Sequence, residues 1–353
     1  MLSFFAKKTI YIFLLILSAL VLPRFVPLKS CYAPIWSPDG QKIAFTCDSL
    51  FWFGRQVHII NLKNKKTTRL TSRLNSNDPS WSPHGNQIAF TCYNESSSTG
   101  SICIADKNGK NLRELISGDS SCCPVWSHDG EEIAFSSYRE KKRNFYVFNW
   151  KNNQVTKLIK KTEQVNWCSW SPDGKKIAFE YIYETTTDSY KSKICIVNNK
   201  NRQETTCVTD ESIGGGLPVW SPDSQKIAFT TGEGIFIINK NSSNLIQLIK
   251  NFKDYNDDFV IHSSPLWWTS EGKYLAFHTK TYNSFTDKVG IFDSKIHLMK
   301  IDKSEPPQYL AQGFDSSLSP NGKQVAFSDN GHIKLINLDT HKKKPRIIYP
   351  LIR

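Results

Sequence analysis

One twelve-residue segment constrains this chain more than any other. Residues 34–45 read P-I-W-S-P-D-G-Q-K-I-A-F, and related segments begin at Pro79, Pro124, Cys168, Pro218, Leu266 and Ser316. The anchor column is Trp36, Trp81, Trp126, Trp170, Trp220, Trp268 and Leu318, at steps of 45, 45, 44, 50, 48 and 50. A Phe follows nine residues after each anchor: Phe45, Phe90, Phe135, Phe179, Phe229, Phe277 and Phe327. Short alternating strands at a period near 45 mark a propeller blade, one four-stranded sheet per repeat. The expected fold is therefore all-β: a seven-bladed β-propeller of four-stranded antiparallel blades, preceded by an N-terminal signal or anchor helix.

Within a copy, residues 33–37 form a first short strand and Ser37-Pro38-Asp39-Gly40 a turn. Proline presets φ, the Asp accepts from local amides, and Gly takes the left-handed position. Residues 42–47 alternate as a second strand, residues 57–62 form a third, and residues 68–71 a fourth. The Trp and Phe columns read as core, and Asp39, Asp129, Asp173 and Asp223 as turn residues, because packing and turn chemistry account for both.

Residues 1–30 differ. Lys7 and Lys8 precede fourteen mostly apolar residues, 9–22, then Pro23 and Arg24. That pattern is an export signal or an uncleaved membrane anchor, and either places residues 31–353 outside the cytoplasm. The nine cysteines fit an oxidising compartment. Cys92 and Cys103 fall on adjacent expected strands of blade 2, and Cys195 and Cys207 do so in blade 4. Both pairs are candidate disulfides, the alternative being buried free thiols. Cys31 is a poor lipid-attachment site because Lys29 lies just ahead of it.

The W-S-P-D-G-x-x-I-A-F repeat followed by I-x-I-x-N resembles the WD-like repeat of the TolB C-terminal propeller, which also occurs in prolyl oligopeptidases and dipeptidyl peptidases. The resemblance covers residues 34–348 and implies the propeller fold. It specifies no single function, since the scaffold serves many. Only some thirty residues precede the first repeat, which implies that the N-terminal domain of TolB is lacking. No G-x-S-x-G occurs, so the hydrolase chemistry of the peptidases is not expected.

Loops joining the second and third strands, and the links between blades, emerge on one face and vary in length. Phe51, Trp52, Phe53, Tyr138, Arg139, Arg143, Tyr183, Tyr190, Tyr282 and Phe285 lie there and suit a contact surface. The opposite face carries lysine-rich turns (Lys63, Lys65, Lys66, Lys107, Lys110, Lys200, Arg202, Lys342, Lys343, Lys344), consistent with a net charge of +13 and with an anionic membrane or envelope surface. The acidic cluster at Asp254, Asn256, Asp257 and Asp258 lacks the Gly and distal Glu of a calcium loop. The expectation is an exported, non-catalytic, monomeric scaffold in the periplasm or cell envelope. It would bind envelope proteins through its loop-rich face, with no cofactor, metal or nucleic acid. The rival expectation is a metal-dependent carbohydrate lyase or lactonase with its site in the central channel.

Overall fold

The computed structural model describes residues 30–48, 54–71, 75–93, 99–159, 164–185, 190–202, 204–250, 258–260, 267–282, 293–340 and 345–349. These form seven antiparallel sheets, each built from strands consecutive in sequence. Blade 1 shows the pattern: Cys31–Trp36, Lys42–Asp48, Arg55–Asn61 and Thr67–Arg69, hydrogen-bonded in that order. The first strands of blades 7 and 1, 1 and 2, 2 and 3, and 4 and 5 contact one another, so they line the ring's inner wall. Blade 6 departs from the pattern. Its inner edge is split into Asp258–Val260 and Trp267–Trp268, both paired with Tyr274–Tyr282. Residues 258–260, between the last strand of blade 5 and Trp267, are thus strand.

The I-A-F triplet explains the packing. Each Phe of the column is buried, at no more than 2% exposure, and faces the preceding blade. Phe90 packs with Ala44, Val57 and Ile59 of blade 1. Phe179 packs with Ala134 and Val147 of blade 3, and Phe229 with Ala178, Ile194 and Ile196 of blade 4. The Ala of each triplet presents the opposite side of the same strand to the following blade. Its small side chain leaves room for that blade's aromatic ring.

The tryptophans do more than fill core. Trp36 Nε1 donates to Ser317 O at 3.2 Å, Trp220 to Ser169 O at 3.1 Å and Trp268 to Val219 O at 3.2 Å. In each case the acceptor is the residue before the anchor position of the preceding blade. Trp81, Trp126 and Trp170 reach no acceptor.

The S-P-D-G turn is a closed hydrogen-bond unit. Ser37 Oγ donates to Asp39 Oδ1 at 2.5 Å and accepts from Lys42 N at 2.9 Å, while Gln41 N donates to the same carboxylate at 3.0 Å. Ser127–Asp129, Ser171–Asp173 and Ser221–Asp223 repeat it. Gly130, at φ +74°, also lies against Pro83 of the preceding turn; an added Cβ would sit 3.1 Å from that ring.

A second recurrent device is a bulge in the first strand, three residues before the anchor. Ala33, Asp78, Cys123, Trp167, Leu217 and Asp315 all have φ between 44° and 58°, at the register shifts of their strands. Left-handed backbone disfavours ordinary side chains, and a bulge bends the strand and re-aims its side chains.

Blades 7 and 1 close the ring without exchanging a strand among the described residues. A cluster of Trp36, Phe45 and Ile60 with Ala326, Ile333 and Leu335 joins them, and Tyr349 lies 4.8 Å from Phe45, ring centre to ring centre. Cys31 N donates to Gly331 O at 3.1 Å. Disulfides link Cys31–Cys47, Cys92–Cys103 and Cys195–Cys207. Each ties neighbouring strands of one blade.

Two substitutions test this packing scheme. Ala178→Leu adds apolar surface yet destabilises by about 1–3 kcal/mol through overpacking. Trp36→Phe costs about 1 kcal/mol more than Trp81→Phe, because only Trp36 loses an inter-blade hydrogen bond. Urea midpoints of the variants measure both effects.

Candidate functional site

Blade 4 builds a pronounced feature of the loop-rich face among the described residues. Its second and third strands, Lys176–Glu184 and Tyr190–Asn198, remain paired as far as Glu184 opposite Tyr190. The equivalent hairpin of blade 1 ends two residues earlier in register, at Asp48 opposite Arg55. Between this hairpin and the Tyr138–Arg143 turn of blade 3 lies a groove of about 720 Å³. Its walls carry Tyr138, Tyr181, Tyr183 and Tyr190, with Lys141, Lys142, Arg143 and Lys193 set against Glu184 and Glu211.

The groove is partly ordered from within. Tyr181 and Tyr183 stack at 5.9 Å between ring centres. Lys193 Nζ lies 4.9 Å above the Tyr183 ring and donates to Glu211 Oε1 at 3.2 Å. The Arg143 guanidinium sits 5.4 Å from the Tyr138 ring centre. Tyr190 is 70% exposed and Tyr138 46% exposed, so two aromatic faces meet solvent beside a surplus of cations. Such a surface offers stacking, cation–π contact and anion pairing together.

Of the ten residues expected to form a contact surface, Tyr138, Arg143, Tyr183 and Tyr190 converge on this groove. Arg139 instead braces its own blade, with Nε 3.0 Å from Asp119 Oδ2 and the guanidinium over Phe135 and Tyr146. Phe51, Trp52, Phe53 and Phe285 lie outside the described residues. Tyr282 enters through its backbone, paired with Asp258. Sequence reasoning misses Lys193 and Glu211, since nothing in the sequence shows that residues 18 apart meet across two strands and a link. Trp167, 52% exposed at a bulge of the inner wall, lies outside the anchor column.

On the opposite face, Lys42, Lys66 and Lys107 rim a depression of about 530 Å³ between blades 1 and 2. Burial, aided by the Lys107 charge, holds the Lys42 ammonium below its ordinary pKa. Arg202 does not belong to this solvated surface. It donates to Glu132 Oε2 at 2.7 Å and to Thr156 Oγ1 at 3.0 Å, bracing blade 4 against blade 3. Lys342, Lys343 and Lys344 lie outside the described residues, as do Asp254, Asn256 and Asp257. Among the described residues, no three His, Cys, Asp or Glu side chains are grouped to hold a metal ion. No described helix is long and apolar enough to cross a membrane; residues 1–29 lie outside that description.

Glu180 follows the column Phe of blade 4, where other blades place Thr46, Thr91, Ser136, Thr230, His278 and Ser328. Burial pushes its carboxyl up to about 7. Its carboxylate packs against Gly216 of blade 5, where an added Cβ would sit 3.1 Å from Oε1.

A profile of the family described as "TolB beta propeller domain" matches residues 92–347. The chain belongs to that family. Feline (Felis catus) dipeptidyl peptidase 4 is 26% identical over 127 residues, which is 32% of this chain and 16% of the relative. The chain thus matches a small part of that enzyme's length. TolB from Acinetobacter baumannii superposes with a TM-score of 0.52 at 18% identity, covering 84% of this chain and 76% of its own. An oligogalacturonate lyase in complex with manganese gives a TM-score of 0.60 at 13% identity, covering 90% and 85%. At these identities the structural likeness is one of fold.

Glu180 carries a pH prediction. Its folded pKa lies above the unfolded value, so its stabilising contribution is complete below about pH 4.3 and is lost as pH rises through about 7. Glu180→Gln should flatten that decline and raise the melting temperature above wild type at pH 8. Thermal melts across pH 4–8 read it directly.

Proposed function

We propose that this propeller is an exported, non-catalytic interaction module of the cell envelope, which docks a partner protein in the groove between blades 3 and 4. The observation that carries this reading is the convergence of four tyrosines and four cations in one half-open groove on the loop-rich face. Buried aromatic and Arg anchors dominate protein interfaces, and the surplus of positive charge selects an acidic segment and speeds its encounter. The three disulfides support an oxidising, extracytoplasmic setting, as does the basic-then-apolar pattern of residues 7–22. Family membership supports an envelope role by analogy.

The rival reading, a metal-dependent lyase working in the central channel, draws on the likeness to the manganese-bound oligogalacturonate lyase. It predicts metal-dependent cleavage of an acidic oligosaccharide. The docking reading predicts binding without turnover.

A photo-crosslinking residue introduced at Tyr183 or Tyr190 in cells should give a discrete protein adduct. The same residue at Lys65, on the opposite face, should give none. Lys142→Glu should weaken the Tyr190 adduct severalfold, and added salt should weaken it further. Equal labelling from Lys65, or no adduct from either tyrosine, would sink the proposal.

A further inference from the structure

Six of the nine cysteines are paired, and Cys168 packs beside Trp170 in the core between blades 3 and 4. Cys122 and Cys123 remain. They are consecutive residues in the first strand of blade 3, Cys122–Trp126, both half-buried. Cys123 occupies the left-handed bulge position, at φ 58°. That bulge brings the two sulfurs to 3.1 Å from one another, where successive side chains of a regular strand point to opposite faces.

The surroundings are polar and unequal. Cys123 Sγ lies 3.6 Å from Asp78 Oδ2, the bulge residue of blade 2, and Cys123 N donates to Thr91 Oγ1 at 3.0 Å. Thr91 Oγ1 in turn donates to Asp78 at 3.3 Å. Cys122 is drawn down to about 7, first by the hydrogen bond from Cys123 and, against burial, by the Arg143 charge. Cys123 moves up, since its thiol donates to Cys122 and its site is buried. Burial also raises Asp78, which makes it a better proton acceptor than an exposed carboxylate. A nucleophilic thiol beside a retained thiol, with a carboxylate at hand, is the asymmetry that disulfide exchange uses.

We propose that Cys122 and Cys123 form a redox pair that closes to a vicinal disulfide by exchange with a disulfide-bearing oxidant. The Cys122 thiolate attacks one sulfur of the oxidant R–S–S–R; a Cys122–S–S–R bond forms and R–S⁻ leaves. Cys123 gives its proton to Asp78 and attacks Cys122 Sγ, and the second R–S⁻ leaves. Two electrons pass from the cysteine pair to the oxidant, which departs as two thiols once protonated. Closure shortens the sulfur separation by about 1 Å, to the bonded distance of about 2.0 Å. The proposal is independent of which partner the groove takes.

The test uses the full chain purified without reductant, equilibrated in reduced and oxidised glutathione at a series of ratios, then alkylated and mapped by mass. The peptide carrying both cysteines should pass from doubly alkylated to unalkylated and two hydrogens lighter, without a lasting glutathione adduct. Cys168, alkylated after denaturation, should not change. Cys123→Ser should halt the exchange at a Cys122–glutathione mixed disulfide. At pH 7, iodoacetamide should modify Cys122 roughly tenfold faster than Cys123, because the thiolate is the reactive form. Double alkylation persisting at the most oxidising ratio, accumulation of a mixed disulfide in the unsubstituted protein, or faster modification of Cys123 would each overturn the proposal.

Discussion

The ring rests on one packing event repeated around it: the Phe of each second strand is buried against the blade before, and at five of the seven junctions it clusters with that blade's small Ala. A four-stranded blade has two apolar faces and can bury neither alone. Placing Phe on one side of the strand and Ala on the other makes every blade donor of bulk to one neighbour and host to the next. The interior tolerates little change in volume, so both members of the pair matter, the small one as much as the large one. The Trp36, Trp220 and Trp268 hydrogen bonds add direction, since each fixes how far a blade rotates relative to the one before it.

Much of this is legible in the sequence because the determinants recur at fixed spacing with the same residue types. A Trp anchor, a turn related to Ser-Pro-Asp-Gly and an Ile-Ala-Phe triplet or a close variant of it mark the anchor, the turn and the interface, and the seven sheets follow them. The bulge is not legible. Its positions hold Ala33, Asp78, Cys123, Trp167, Leu217 and Asp315, which share no chemistry. The constraint there is on backbone conformation, and residues of many types comply with it. The split inner edge of blade 6 is hidden for a related reason, since a three-residue strand such as Asp258–Val260 leaves no alternation to read.

The groove is legible in kind and not in place. Loop length and the clustering of Tyr, Arg and Lys mark the face, yet which of those residues meet depends on how one blade turns relative to the next. That rotation brings Tyr138 and Arg143 of blade 3 to Tyr183 and Tyr190 of blade 4. It also withdraws Arg202 into an ion pair with Glu132 of blade 3, while Arg139 is held within its own blade by Asp119, a distinction that residue type alone cannot carry. The same blade-to-blade geometry sets Asp78 of blade 2 beside Cys123 of blade 3.

The Cys31–Cys47 bond has a mechanical meaning. Cys31 opens the innermost strand of blade 1, and its amide also holds Gly331 of blade 7. Tension arriving through the chain ahead of it would otherwise peel that strand away one hydrogen bond at a time. The covalent link passes the load to the second strand, which is paired on both sides. Force is then resisted by two ladders in shear, and the seam of the ring is shielded from tearing.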